Sequence, residues 1–171
     1  MCIFLLFVLI MTTSSSAIKI NPLENFMSTQ KYQTLATHNN LTFIVKTDKE
    51  EYKLREPVQI SLQLTNTGNE NITITTPDAR TYDFIVLNSL WHKRYQLSDG
   101  KGFAQVITET TIPAGKTIYY NETWNQKGTR FTFMPLILRH QVRAGYYRII
   151  GLIPQMDFEE MIATTIICIV R

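Results

Sequence analysis

Apolar and polar residues alternate in short runs along most of the chain from residue 41 onwards. A period of two places alternate side chains on opposite faces of a β-strand. We therefore expect the apolar members of each run to be buried and the polar members to face water. The clearest run has four apolar residues separated by single polar ones: Val58, Ile60, Leu62 and Leu64, with Gln59, Ser61 and Gln63 between them.

The same alternation predicts a series of short strands separated by turn residues. Besides residues 58–64, the predicted strands cover residues 41–46, 72–75, 82–87, 91–96, 105–108, 117–123, 146–152 and 162–170. Residues 48–56 are expected to form a charged turn, and residues 65–69 a second turn. Seven or more short strands at this spacing, without an amphipathic helix of useful length, predict an all-β, immunoglobulin-like antiparallel β-sandwich.

The first forty residues lack this alternation. Residues 2–11 are almost wholly apolar and are followed by small residues, as in a signal peptide, and they are too few to span a bilayer. We therefore expect a signal peptide at residues 1–17, an N-terminal arm or linker at residues 18–40, and the β-sandwich domain at residues 41–171. The protein would then be secreted or extracytoplasmic. An uncleaved anchor or a misassigned start are the alternatives, because no charged residue precedes Lys19.

Composition and charge narrow the class of protein. A chain of 171 residues can form one domain that buries its own core without disulfides. The net charge of +3 is too small for a nucleic-acid-binding surface, so no nucleic-acid partner is expected. Residues 162–170 are apolar, but their length and β-branching favour a buried strand, so we expect no stable membrane span in the mature chain. Cys168 is then a buried, unreactive thiol or, alternatively, pairs between molecules.

The side chains that usually carry catalysis are scattered along the sequence. The three histidines, His38, His92 and His140, do not lie at metal-ligand spacing, so we expect no metal site and no cofactor. Asp83 is an isolated carboxylate in a strand, which is more often solvent-facing or a turn partner than catalytic. No nucleophile lies beside a base in a recognisable pattern, so we expect no enzymatic activity. The large aromatic residues Phe103 and Trp124 are expected in the core.

Residues 125–143 stand where a short connection between strands would suffice. The stretch places basic residues next to large apolar ones, a combination that often carries the binding energy of a protein interface. Its alternative role is an ordinary extra hairpin packed on the edge of the sheet. The residues that we single out as candidate partner contacts are Arg130, Phe133, Met134, Leu136 and Arg139.

Several stretches of the chain also follow the pattern of a known family. The pattern has an alternating strand that ends in an asparagine turn, an aromatic-Asp-Phe strand, a Ser-x-Gly-Lys-x-Phe-x-Gln stretch, a Pro-x-Gly turn, a tryptophan and a Gly-x-Tyr type strand. Here these features are residues 58–66, Tyr82-Asp83-Phe84, residues 95–105, Pro113-Ala114-Gly115, Trp124 and Gly145-Tyr146. Over about residues 41–154 the chain resembles the intracellular proteinase inhibitor family called BsuPI.

The resemblance implies an immunoglobulin-like sandwich and the inhibition of a serine proteinase through an exposed loop. It assigns no reactive-site residue, so none is transferred to this sequence. Together with the predicted signal peptide, it implies an exported proteinase-inhibitor-like domain whose partner is a serine proteinase or another protein. The alternative is a non-inhibitory cell-surface adhesion or assembly module, because one fold supports many functions.

Overall fold

The computed structural model of the chain describes residues 35–38, 40–131, 137–156 and 160–171. These ranges form thirteen β-strands and contain no helix. The strands are β1 (Leu35–His38), β2 (Leu41–Thr47), β3 (Glu51–Lys53), β4 (Val58–Asn66), β5 (Ile72–Thr76), β6 (Asp83–Asn88), β7 (Lys93–Gln96), β8 (Thr108–Ile112), β9 (Thr117–Trp124), β10 (Lys127–Phe131), β11 (Ile137–Gln141), β12 (Gly145–Ile153) and β13 (Met161–Val170).

Two sheets and two ribbons organise these strands. One sheet has the strand order β1-β2-β4-β9 and the other has the order β3-β13-β12-β6-β7. The strands β5 and β8 form one two-stranded ribbon, and β10 and β11 form the other. Among the described strands, β3 and β13 run parallel and the other pairings are antiparallel. The predicted all-β sandwich is confirmed.

The alternation of β4 sets the inner face of the four-stranded sheet. The four apolar residues predicted to point inward are at most 2% exposed. Gln59 is exposed as predicted, whereas Ser61 and Gln63 are half-buried. The neighbouring strand β2 contributes Leu41, Phe43 and Val45 to the same buried face. Burial of this apolar face is the main favourable term that holds the sheet in the molecule.

Gly151 in β12 lies where the two sheets pack closely against each other. A Cβ atom placed on it would lie 2.4 Å from Val45 Cγ2, 2.9 Å from Leu62 Cδ2 and 3.1 Å from Phe43 Cζ. Only a residue without a side chain leaves room for the three apolar groups of the facing sheet. The strands β2, β4 and β12 are therefore locked together at this point.

The second part of the core is aromatic. Trp124 is 1% exposed, as predicted, and its ring centroid lies 6.5 Å from that of Tyr95 and 5.8 Å from that of Tyr147. Phe84 extends this cluster through Tyr95, with centroids 5.5 Å apart. Phe103 is half-buried and lies in a segment without regular structure, so its expected place in the core is wrong.

Several predicted element boundaries differ from those of the structure. The expected charged turn at residues 48–56 contains β3, whose Tyr52 points into the core. The expected strand at residues 105–108 is irregular, and the real strand, β8, begins at Thr108. β4 continues to Asn66, whose buried amide donates to the carbonyl oxygens of Glu70 and Ile112. Local propensity could not indicate these tertiary partners.

The N-terminal predictions concern residues that the structure does not describe. The expected signal peptide, residues 1–17, and residues 18–34 of the expected arm lie outside the described ranges. Residues 35–38 of that arm form β1 instead of a linker. Within the described ranges, no helix has the length and apolar character needed to cross a membrane. Residues 162–170 lie in β13, the strand expected there.

Candidate functional site

The stretch at residues 125–143 forms a β-hairpin from β10 and β11. Arg130 pairs with Leu138, and Thr129 pairs with Arg139, so the two arginines selected from the sequence lie on facing strands. The other three selected residues, Phe133, Met134 and Leu136, lie outside the described residues. The structure therefore brings Arg130 and Arg139 close together along the backbone, and contact with a partner stays a prediction.

Gln126 fixes the base of this hairpin. It is fully buried and adopts a positive φ of 52°, a conformation that turns the chain from β9 into β10. Its side-chain Nε2 donates to the carbonyl oxygens of Lys53 at 2.9 Å and Glu56 at 2.7 Å, and its Oε1 accepts from the N–H of Arg55 at 2.8 Å. Both polar atoms of this buried amide thus bind residues 53–56, at the end of β3 and in the turn after it.

The two strands of the hairpin are also held near the sandwich. The Val142 N–H donates to the Gln126 carbonyl oxygen at 2.9 Å. The Trp124 indole donates to the Lys127 carbonyl oxygen at 3.1 Å. A Cβ on Gly128 would lie 3.1 Å from the Arg94 carbonyl oxygen, so β10 packs directly beside β7. The hairpin is thus held at its base by the core.

Asp83, expected to face solvent or to support a turn, is only 1% exposed. Its Oδ2 accepts from Gln96 Nε2 at 2.7 Å and from Ser98 Oγ at 2.6 Å, and its Oδ1 accepts from the Ser98 N–H at 3.2 Å. Arg80 Nη1 lies 3.5 Å from Oδ2. The solvent-facing alternative is wrong, and Asp83 supports the turn after β7. These bonds use both oxygens of the carboxylate to hold the fold.

A second hairpin, β6–β7, has a tip formed by residues 88–92, which we call the Trp91 tip. Asn88 organises it with four hydrogen bonds. Its Oδ1 accepts from the N–H groups of Leu90 at 3.2 Å and His92 at 2.8 Å. Its carbonyl oxygen accepts from the Trp91 N–H at 2.9 Å, and its own N–H donates to the His92 carbonyl oxygen at 3.1 Å.

Trp91 lies over a cation of the neighbouring strand. The guanidinium carbon of Arg148, in β12, is 4.0 Å from the centre of a Trp91 ring. Arg148 is 7% exposed, and burial lowers the pKa of its guanidinium, because a charged group loses solvation in the protein. An aromatic face over a partly desolvated cation is a favourable contact, so Arg148 holds the ring in place.

A cleft of about 520 Å³ lies between the Trp91 tip and the end of the β10–β11 hairpin. Asn88 and Ser89 line one side, and Arg94, His140 and Arg143 contribute positively charged or protonatable side chains. None of the described residues that line the cleft is acidic. We call this the basic cleft, and its charge favours an anionic ligand.

Tyr147 supports the wall of the basic cleft from the core. It is buried, and its hydroxyl donates to the Arg143 carbonyl oxygen at 2.7 Å. Burial raises the pKa of this hydroxyl, so it stays a protonated donor at neutral pH. The backbone that carries Arg143 is therefore fixed, while its side chain stays exposed.

The sequence did not indicate that Leu90 and Trp91 are exposed at a hairpin tip, or that Gln126 is buried at the base of the other hairpin. The sequence placed Trp91 at the start of a strand because aromatic residues are common there. The available signal for the tip was Asn88, which lies between two strand-like runs, because asparagine is common in tight turns. No local signal marks Gln126, whose partners lie about seventy residues earlier in the chain.

The histidines form no metal site among the described residues. His92 and His140 are exposed, and no group of three potential metal ligands is found in the ranges that the structure covers. The side chain of His38 is not described. The chemistry that these ranges offer is a basic cleft beside two hairpins, an arrangement suited to binding a protein surface.

Comparison with protein families gives one match. The model of a family described as BsuPI, intracellular proteinase inhibitor, matches residues 45–156. This range includes β4, the Trp91 tip, the basic cleft and the β10–β11 hairpin. No curated protein matches the chain in a sequence search.

Three solved structures resemble the chain at low sequence identity. A β-glucosidase from Erythrobacter marinus has 11% identity and a TM-score of 0.44, with 76% of this chain and 15% of that chain covered. The alkylpurine DNA glycosylase AlkC from Pseudomonas fluorescens has 11% identity and a TM-score of 0.43, with 77% and 31% covered. The sporulation control protein Spo0M from Bacillus subtilis has 11% identity and a TM-score of 0.45, with 77% and 50% covered. The chain spans half or less of each of these proteins, and likenesses at this level carry no functional argument.

The family description corrects one expectation from the sequence. It names an intracellular inhibitor, which points to the cytoplasm, so the prediction of a secreted or extracytoplasmic protein is wrong. That prediction depended on the apolar residues 2–11 and the small residues that follow them.

Proposed function

Because this chain belongs to the BsuPI family of intracellular proteinase inhibitors, we propose that it inhibits a serine proteinase by placing an exposed loop against the substrate cleft of the enzyme. The observation that carries the proposal is the family match over residues 45–156. The chain acts by occupying the cleft and turns over no substrate of its own.

We assign the main contact to the β10–β11 hairpin. A loop that is ordered before binding loses less conformational entropy when the complex forms. Gln126 and Trp124 supply such order at the base of the hairpin through the bonds described above. The residues proposed to touch the enzyme are the basic and apolar side chains of the hairpin: Arg130, Phe133, Met134, Leu136 and Arg139.

The inhibition itself is tested with purified chain and two serine proteinases of different fold, subtilisin and chymotrypsin. Each enzyme is assayed on a short chromogenic peptide and on a large protein substrate. An inhibitor that fills the cleft suppresses both reactions with the same concentration dependence. If neither reaction slows with either enzyme, the proposed function is wrong.

The hairpin assignment is tested by shortening. Residues 129–139 are replaced by Asn-Gly, which joins Gly128 to its register partner His140 through a two-residue turn. Gln126, Lys127, Gln141 and Val142 stay in place, so we expect the variant to fold with nearly the unmodified unfolding midpoint. We expect its inhibition constant to rise at least roughly tenfold, the loss of about 1.4 kcal/mol of binding free energy.

A matched control is Tyr119→Ala, which removes an exposed aromatic ring from β9 on the other sheet. This variant should inhibit like the unmodified chain. Full inhibition by the shortened variant would show that the contact lies elsewhere on the surface.

A further inference from the structure

The Trp91 tip exposes two adjacent large apolar side chains. Leu90 is 69% exposed and Trp91 is 58% exposed, at the turn of a hairpin that closes over only three residues. Single apolar residues on a surface are common, but neighbouring large ones at a convex turn mark surfaces that meet another molecule. Tryptophan is among the residues that most often carry interface energy.

The backbone of Trp91 adds an independent observation. Its φ is 63°, in the left-handed region. The Trp91 N–H to Asn88 carbonyl bond closes a turn over residues 88–91, and Trp91 is the third residue of the three-residue loop 89–91, the position that takes this conformation in such loops. Glycine occupies such a position without strain, whereas a bulky side chain there is an outlier. The turn itself favours glycine, so the presence of an exposed tryptophan there points to a use for the ring outside the fold.

The tip is also rigid. The four hydrogen bonds of Asn88 fix its backbone, and the Arg148 guanidinium holds one face of the Trp91 ring. A rigid, convex apolar projection matches a concave apolar pocket, which is the usual character of a ligand-binding cleft.

We propose that the Trp91 tip enters the apolar specificity pocket of the target proteinase, and that the basic cleft beside it faces acidic residues on the rim of that pocket. This proposal deepens the proposed function and rests on it. The partner is then a serine proteinase whose specificity pocket binds large apolar side chains of its substrates. Proteinases with an acidic pocket, which binds lysine or arginine, are excluded.

The charge of the basic cleft and the area of the surface around it support a contact with a proteinase. Arg94, His140 and Arg143 line the basic cleft without an acidic neighbour among its described residues, so an acidic rim is its electrostatic complement. A standard interface buries about 800 Å² on each partner, and one aromatic side chain supplies only about 150–250 Å². The tip therefore acts as an anchor, while the β10–β11 hairpin supplies most of the contact area and the basic cleft the remainder.

The decisive variant is Trp91→Gly. It removes the proposed anchor and at the same time places the residue that the turn prefers, so the loss of binding is separated from the loss of structure. The unmodified chain, Trp91→Gly and the control Tyr119→Ala are compared in the inhibition of chymotrypsin, subtilisin and trypsin, and in urea-induced unfolding. A second variant, Leu90→Ala, tests the neighbouring side chain without changing the turn.

We expect Trp91→Gly to raise the inhibition constant for chymotrypsin or subtilisin roughly thirtyfold, the size of a hot-spot loss, with an unchanged or higher unfolding midpoint. Tyr119→Ala should change neither quantity, and trypsin should be the most weakly inhibited enzyme. If the unmodified chain inhibits none of the three, the proposed function fails and this inference fails with it. If the unmodified chain inhibits but Trp91→Gly inhibits equally well, or if trypsin is inhibited best, this inference alone is overturned.

Discussion

Asp83 shows at the scale of one residue how a polar group becomes part of the core. Its carboxylate is buried, yet Gln96 and Ser98 donate to both of its oxygens. Hydrogen bonds to a charged acceptor are stronger than those between neutral groups, and they offset the loss of solvation. The residue that seemed a weak catalytic candidate in the sequence thus belongs to the scaffold of β6 and β7.

We expect Asp83→Asn to lower the free energy of unfolding by about 1–3 kcal/mol. The amide keeps one acceptor oxygen but replaces the other with a donor, which faces the Ser98 hydroxyl and the Gln96 amide. Urea unfolding measures the loss. Glu109→Gln, an equal change of charge at an exposed site on β8, should stay within about 0.5 kcal/mol of the unmodified chain. An equal loss in both variants would contradict this role for Asp83.

Tyr52 gives a prediction for alkaline pH. Its buried hydroxyl donates to Asp48 Oδ1 at 2.5 Å, and burial followed by this bond raises the pKa of Tyr52 above its usual value. Below about pH 10 the hydroxyl is protonated in both the folded and the unfolded chain. Above that pH the unfolded chain releases the proton while the folded chain retains it, so the stability that this group contributes is lost as the pH rises.

The test of this linkage is Tyr52→Phe, followed by urea unfolding between pH 7 and pH 11. At pH 7 the variant should be about 1–3 kcal/mol less stable, because the bond to Asp48 and the bond from the Lys49 N–H are both lost. Between pH 10 and pH 11 its stability should fall less steeply than that of the unmodified chain. The exposed Tyr119→Phe serves as the control, and a parallel fall in all three proteins would refute the assignment.

At the scale of the elements, Gly151 decides how closely β12 approaches the facing sheet. Gly151→Ala places a methyl group against Val45 and Leu62, and we expect a loss of about 1–3 kcal/mol in unfolding free energy from overpacking. Gly102→Ala is the matched control, because a Cβ there has no neighbour within 4 Å. Val45→Ala removes the closest contact of the new methyl group. The double variant should therefore lose less stability than the sum of the losses of Gly151→Ala and Val45→Ala. Additive losses would mean that the strain arises elsewhere.

The elements differ in how well their sequence predicts them. β4 and β13 follow the period of two because each has one buried face, and both were predicted. The sequence predicts a turn at β3, because the strand has three residues and two of them are charged. Its partner, β13, lies more than a hundred residues later in the sequence, so no local pattern indicates the pairing. Trp91 was placed in a strand, because the left-handed turn depends on bonds to Asn88 that local propensity does not encode. The position of β10 beside β7 follows from tertiary packing, so the sequence could not predict it.

At the scale of the whole molecule, the charge of +3 is less informative than its placement. The basic cleft gathers Arg94 and Arg143 next to the Trp91 tip. Charges at the rim of an interface mainly raise the association rate and are screened beyond about 10 Å at 0.1 M salt. The association that we propose with a serine proteinase should therefore slow as the ionic strength rises.

We expect Arg143→Gln to reduce the association rate constant a few-fold at low salt and to flatten its dependence on salt. The hydrogen bond from Tyr147 goes to the backbone of Arg143, so the substitution leaves it intact. Stopped-flow binding at several salt concentrations gives the rate constants. Lys116→Gln, at the exposed turn before β9, is the control, and an equal effect of both variants would point to net charge in place of the cleft.

The parallel pair β3 and β13 has a consequence for how the chain folds as it is made. In the backbone register of this pair, Cys168 of β13 lies opposite Glu51 of β3. The partner of β3 is therefore synthesised well over a hundred residues after β3 itself. At about 5–20 residues per second, this delay lasts on the order of ten seconds. β13 also separates β3 from β12 in the five-stranded sheet, so that sheet cannot close while β13 is still inside the ribosome. During that interval the inner face of β4 lacks part of the five-stranded sheet that covers it in the finished fold, so the nascent chain exposes apolar surface that the folded protein buries.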